Sequence, residues 1–163
     1  MRILTIDPGV HCAWCLGTMH KLLDYGHIDY ASDFDVVNES KRIISGVGLL
    51  DALVIENQYF NKFTPTIFRV VEIAYMWTIL GIQNRIPIVL KVVPSKWQTV
   101  LGMPKGKGRR KRDIIAVYVL NRAISIVKQY FNDRDITQDE GCSIIIWDWF
   151  KRKGILDASK ARN

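Results

Sequence analysis

Ile3-Leu4-Thr5-Ile6-Asp7-Pro8-Gly9 is the stretch around which the rest of the chain is arranged. Four apolar or β-branched residues in a row suit a strand buried on both faces, and this one ends in a carboxylate. An ionised acid in a low-dielectric setting must be paired or must coordinate a metal, so Asp7 calls for a positive partner, and a divalent cation is the simplest. Gly9 suits such a place, because a residue without Cβ lets the backbone turn sharply and a bulky anion approach. Asp-Pro-Gly after a strand is also ordinary turn chemistry, and a second acid in the same setting is what separates the two readings. Ala52-Leu53-Val54-Ile55 supplies it, as another fully apolar strand that terminates in an acid, Glu56.

With 163 residues, nearly half of them hydrophobic and about a quarter charged, the chain has the composition of one globular domain with its own core. Disordered and fibrous classes are excluded. The longest apolar stretches are interrupted by charge, and the N-terminus begins directly with a core strand, so we expect no signal peptide, no membrane span and a cytoplasmic location. Three cysteines, Cys12, Cys15 and Cys142, do not make a disulfide framework. Cys12 and Cys15 spell a CxxC, but strand alternation sends them to opposite faces, and neither zinc nor redox chemistry follows. The net charge of +7 favours polyanionic partners, nucleic acid or an acidic membrane surface.

Outward from the first strand, Cys12–Thr18 and Lys21–Ile28 read as two further strands that complete an antiparallel meander. Residues 32–47 have helical spacing, with Phe34, Val37, Ile43, Ile44 and Val47 as the apolar stripe and Gly46 and Gly48 at the end. Thr64-Pro65 opens a second helix that runs to Ile82 and is apolar nearly all round. Such a helix is covered either by a second copy of the chain, the reading we favour in so small a domain, or by the core itself. Residues 86–93 form a fifth strand, followed by a short helix over 95–101 with Trp97 and Leu101 inward.

Gly102 to Gly108 breaks all periodicity and carries Lys105 and Lys107 into Arg109-Arg110-Lys111-Arg112, at the start of a helix reaching about Tyr130. Cations at a helix N-terminus oppose the macrodipole, a cost that suggests a use in phosphate contacts; a solvated charged turn is the alternative. The last helix opens at Thr137. Thr137 and Glu140 have capping-box spacing, which occupies Glu140 at its own helix end and leaves Asp139 free. Beyond about residue 152 the chain is a basic tail of low hydrophobicity, read as frayed and separate from a domain over 1–152. If the strands ending in Asp7 and Glu56 lie adjacent and parallel, both carboxylates project at one sheet edge, and a helix packed there adds Asp139. Three acids at one point on a basic protein fit a magnesium site that holds a phosphate, and hence a metal-dependent nuclease.

In these motifs and their order the sequence resembles the RuvC-type Holliday junction resolvases of the RNase H-like superfamily, the small phage-encoded forms among them. The opening strand 3–9, the acid followed by aromatics in Val54-Ile55-Glu56-Asn57-Gln58-Tyr59-Phe60, and Val93-Pro94-Ser95-Lys96-Trp97 before a Gly- and Lys-rich segment all follow the family pattern. The resemblance spans Met1 to about Phe150 and implies an α/β, RNase H-like fold with a five-stranded mixed sheet flanked by helices. It implies a homodimer through helix 65–82 and a structure-selective endonuclease that resolves four-way DNA by paired, metal-dependent nicks. Two Mg2+ ions, or Mn2+, would sit on Asp7, Glu56 and Asp139, one to activate water and one to stabilise the leaving 3′ oxygen. Lys105, Lys107, Arg109, Arg110 and Lys111 would grip phosphates, and Tyr59, Phe60 or Phe63 would either stack on bases or pack against the next helix. An RNase H-like nuclease acting on hybrids or flaps is the alternative enzyme.

One position departs from the family. Its last motif carries two acids three residues apart on a helix, and here Asp139 is followed by Cys142. Thiolate is a soft ligand and a poor one for magnesium, so one metal subsite should be weakened. Cys142 is then an inactivating or cross-linking replacement, the preferred reading; or it is native and Glu140 reaches in instead; or the protein binds junctions without cutting them.

Overall fold

The sheet is built outward from β1 (Arg2–Asp7), whose residues from Ile3 to Asp7 are all buried. A computed structural model of the chain describes residues 1–9, 11–29, 32–57, 65–100, 102, 109–132 and 134–154. β2 (Cys12–Thr18) and β3 (Leu22–Ile28) extend the sheet on one side of β1, and β4 (Ala52–Glu56) and β5 (Ile88–Val92) on the other, in the order β3-β2-β1-β4-β5. β1 pairs antiparallel with β2 and parallel with β4, so the expected five-stranded mixed sheet is present. Among the described residues five helices flank it: α1 (Asp33–Gly46), α2 (Pro65–Gln83), α3 (Pro94–Val100), α4 (Arg109–Val127) and α5 (Gln138–Trp149). A π-helical turn, Phe150–Gly154, continues α5.

Alternation along the strands divides the core in two. Leu4, Ile6, Cys12, Leu16, Leu53 and Ile55 pack with Ile43, Ile44, Ile73, Trp77 and Leu80 of α1 and α2. Ile3, Cys15, Tyr25, Ala52 and Val54 face the other way, onto Trp97, Val119, Ala123 and the Ile144–Trp147 run of α5. Cys12 and Cys15 thus lie in different cores, as alternation requires. Burial pushes both thiols up, Cys12 to about 12, which leaves neither a ready thiolate.

Two boundaries differ from expectation for local reasons. The fifth strand starts at Ile88 and not Ile86, because Arg85 adopts the left-handed conformation (φ 54°) and the Ile86 N–H turns back to the Gly81 carbonyl at 3.0 Å. The third starts at Leu22, because the Lys21 carbonyl accepts from the Thr18 N–H at 2.8 Å and closes the hairpin. In α1 the most buried apolar residue among those described is Val36, 2% exposed, with Val37 half-buried beside it.

α2 is by length and composition apolar enough to cross a membrane, and it carries Arg69 and Glu72. Val70, Ile73, Ala74, Trp77 and Leu80 along one face are buried in the protein. The face opposite them presents Phe68, Tyr75, Ile79 and Ile82, each more than half exposed.

α5 is fixed to the sheet along its length. Thr5 Oγ1 donates to the Ser143 carbonyl at 2.7 Å, and Trp147 Nε1 donates to the Thr18 carbonyl at 3.0 Å. Its far end is secured by Asp148, fully buried and met by Arg122 of α4 at 2.8 Å, Arg152 at 3.0 Å and Lys151 at 3.4 Å. Burial pushes the Asp148 carboxyl up, but the hydrogen bonds from Arg122 and Arg152 outweigh it and hold the group below the usual range.

At Gly17 the sheet lies so close under α5 that an added Cβ would overlap the Trp147 indole. We predict that Gly17→Ala destabilises the protein by about 1–3 kcal/mol in urea unfolding, the usual cost of overpacking. A change below about 0.5 kcal/mol, within the range of ordinary surface substitutions, would contradict this account of α5 docking.

Candidate active site

Parity along two parallel strands assembles the site. In β1 the residues facing α5 are Ile3, Thr5 and Asp7, and in β4 they are Ala52, Val54 and Glu56. Because Ile6 pairs with Ile55, Asp7 and Glu56 end neighbouring strands side by side on the same face. Asp7 is 6% exposed and Glu56 3%. The two carboxyls are close enough to interact, with Glu56 favouring the ionised form of Asp7. Trp97 Nε1, from α3, donates to Glu56 Oε1 at 3.1 Å and fixes its orientation.

α5 brings its first turns to this edge. Its N-cap is Thr137, and the capping box expected from sequence is complete: the Glu140 N–H donates to Thr137 Oγ1 at 3.2 Å, and Glu140 Oε2 accepts from the Thr137 N–H at 2.8 Å. The remaining oxygen, Oε1, lies 3.0 Å from His27 Nδ1. Glu140 is therefore engaged on both oxygens, and to replace the missing fourth carboxylate it would have to leave the capping box and His27. Cys142, half-buried, hydrogen-bonds to Asp7 through its thiol. Asp139, also half-buried, lines an adjoining cleft of about 240 Å3 with His11, His27, Asp29 and Thr137.

The electrostatics follow from this placement. Burial raises the Asp7 carboxyl to about 6; Asp139 adds to the rise, while hydrogen bonds from Glu56, Cys142 and the Gly9 backbone oppose it. Burial, then Asp7 and Glu56, push the Cys142 thiol well above its ordinary value. Burial raises Asp139 as well, with His11 and His27 pulling it back. His27 is raised, chiefly by its hydrogen bond to Glu140.

Of the residues named from sequence, the structure brings Asp7, Glu56 and Cys142 together and sets Asp139 at their margin. Among the described residues no group of three or more His, Cys, Asp and Glu is gathered closely enough to hold a metal ion, so the expected joint set of Asp7, Glu56 and Asp139 is not preassembled. The donor chemistry nevertheless fits a hard divalent cation at Asp7 and Glu56, two buried carboxylates at the ends of neighbouring strands. Arg109, Arg110 and Lys111 begin α4, as expected, with side chains outside the described part; Tyr59, Phe60, Phe63, Lys105 and Lys107 lie outside the described residues.

Sequence reasoning missed Trp97 as a partner of Glu56, and it missed His11, His27 and Asp29 altogether. His27 could have been found by alternation: it stands two residues after Tyr25, which is 1% exposed and packed in the α5-side core.

An acid whose folded-state value lies above its unfolded one keeps its proton longer when folded, so its contribution to stability falls as pH rises from about 4 to about 6. We predict that the stability of the metal-free parent, relative to Asp7→Asn, drops by a few kcal/mol across that window and stays low above it. Millimolar Mg2+ should raise the parent's Tm at pH 7.5 and leave Asp7→Asn unmoved. Parallel pH profiles for the two proteins would contradict the buried-pair reading.

No family profile and no curated protein matches the sequence. Solved structures do. The chain is similar to Thermus thermophilus RuvC at 15% identity and TM-score 0.64, covering 94% of this chain and 97% of that one. It is similar to T. thermophilus RuvC in complex with a Holliday junction substrate at 16% identity and TM-score 0.65, covering 94% and 96%. The yeast mitochondrial Holliday junction resolvase Ydc2 is similar at 16% identity and TM-score 0.59, covering 93% of this chain and 78% of that one. The fold of this chain is therefore the RuvC, RNase H-like fold over nearly its whole length.

Proposed function

We propose that this chain is a RuvC-type endonuclease that cuts four-way DNA junctions with the help of divalent metal. The observation that carries the reading is the pair Asp7 and Glu56, buried side by side at the ends of parallel strands, with Cys142 and Asp139 delivered to the same edge by α5. Similarity over more than nine-tenths of the chain to a RuvC solved with its junction, together with the net charge of +7, supports branched DNA as the substrate. Asp7 and Glu56 would hold the cation, with Asp139 turning in from the margin. Divalent metal, when bound, supplies an activated water and charge stabilisation at the scissile phosphate. The chain's own residues do the rest: Trp97 orients Glu56, the sheet fixes Asp7, and the basic stretch through Arg112 meets the DNA backbone.

The exposed apolar face of α2, with Phe68, Tyr75, Ile79 and Ile82, supports a homodimer. A dimer presents two such sites to one junction and so pairs the nicks. Tyr75→Glu with Ile79→Glu should shift the protein to monomer in sedimentation and convert paired cleavage of a junction into single nicks. Unchanged sedimentation would place the dimer surface elsewhere.

Cys142 favours a second reading, a form that binds junctions and cuts slowly or not at all, because a thiol is a poor magnesium ligand. The test is Cys142→Asp, assayed on a four-way junction in Mg2+ and in Mn2+. We expect at least tenfold faster cleavage in Mg2+, and a parent more active in Mn2+ than in Mg2+. A variant no faster than the parent would assign Cys142 no part in limiting cleavage. Absence of cleavage by both, with junction binding intact, would establish the binding form. Faster cutting of an RNA–DNA hybrid or a flap than of the junction would move the substrate, not the chemistry.

A further inference from the structure

Asp7 and Glu56 are set by the strand ladder, whereas Asp139 and Cys142 are only as well placed as the first turns of α5. Among the described contacts that fasten α5 to the sheet, Trp147 to the Thr18 carbonyl lies near its far end and Thr5 to the Ser143 carbonyl at mid-helix. The turn that carries Asp139 is tied to the sheet through His27, whose Nδ1 meets Glu140 Oε1 at 3.0 Å. The tie continues. His27 Nε2 lies 3.1 Å from Asp29 Oδ2, and Asp29 Oδ1 lies 3.5 Å from His11 Nδ1, in the turn that follows Asp7 and Gly9. Glu140, His27, Asp29 and His11 thus form one chain from the start of α5 across the end of β3 to the β1–β2 turn. His11, His27, Asp29 and Asp139 share the walls of the same cleft.

We propose that His27 is a positioning residue for the reaction: it holds the first turn of α5, and with it Asp139, in register with Asp7. This rests on the nuclease reading above. Glu140 is suited to receive it, because the capping box uses only Oε2 and leaves Oε1 for the imidazole. The bridge acts through the helix and never on substrate. Losing it should cost metal response and turnover, as loss of a partner that orients a metal-site ligand typically does, by about 10–100-fold. The fold should survive, since His27 is one-third exposed and its strand ladder is unaffected.

The test compares the full-length parent with His27→Ala and His27→Asn, the latter keeping a donor near the Nδ1 position. Three readouts are needed: amide hydrogen exchange without metal, the Mg2+ dependence of junction cleavage, and junction binding in Ca2+. For His27→Ala we expect faster exchange confined to residues 138–143, kcat down at least tenfold, a higher half-saturating Mg2+ concentration, and junction binding within twofold. His27→Asn should recover most of each. Unchanged exchange in 138–143 would overturn the proposal, as would faster exchange with cleavage within twofold of an active parent. A parent that neither cleaves in Mg2+ or Mn2+ nor binds Mn2+ would overturn the nuclease reading and this one with it.

Discussion

Everything in the candidate site depends on two carboxylates that are taken out of water side by side. Asp7 and Glu56 are each under a tenth exposed, and they meet because β1 and β4 pair parallel in a register that aligns their ends. Two like charges in a low-dielectric setting cannot both ionise without compensation, so the pair must share a proton or share a cation. Below about pH 6 a proton on Asp7 serves, and above it the pair calls for a cation. A pair of this kind is a standing destabilisation unless a cation is expected, and that is why it points to function more strongly than any surface feature of the molecule.

Around this pair the fold separates rigid from adjustable parts. The strands fix two acids through a ladder of backbone hydrogen bonds, and Trp97 fixes the orientation of one of them. α5 is anchored by Thr5, Trp147 and the Asp148 cluster over its middle and far end. Among the described side-chain contacts, its acidic first turn reaches the sheet through His27. The arrangement places Cys142 against Asp7 and leaves Asp139 to approach from the side.

Much of this was legible in the sequence, for definite physical reasons. Uninterrupted apolar runs mark β1 and β4 as strands buried on both faces, and the acids at their ends stand out against that background. The Thr137–Glu140 spacing foretells a capping box, and hence that Glu140 is held at its own helix end. What was not legible is non-local. That β1 and β4 are neighbours, that Trp97 reaches Glu56, and that His27 reaches Glu140 across 113 residues of chain all depend on which elements pack together. The limits of β5 were missed because Arg85 turns back to cap α2, a conformation that no periodicity reports.

The most direct test is the anomalous diffraction of crystals grown in Mn2+. The account predicts a manganese peak at the edge of β1 and β4, coordinated by Asp7 and Glu56. Absence of a peak between the strand ends at saturating Mn2+ would contradict it.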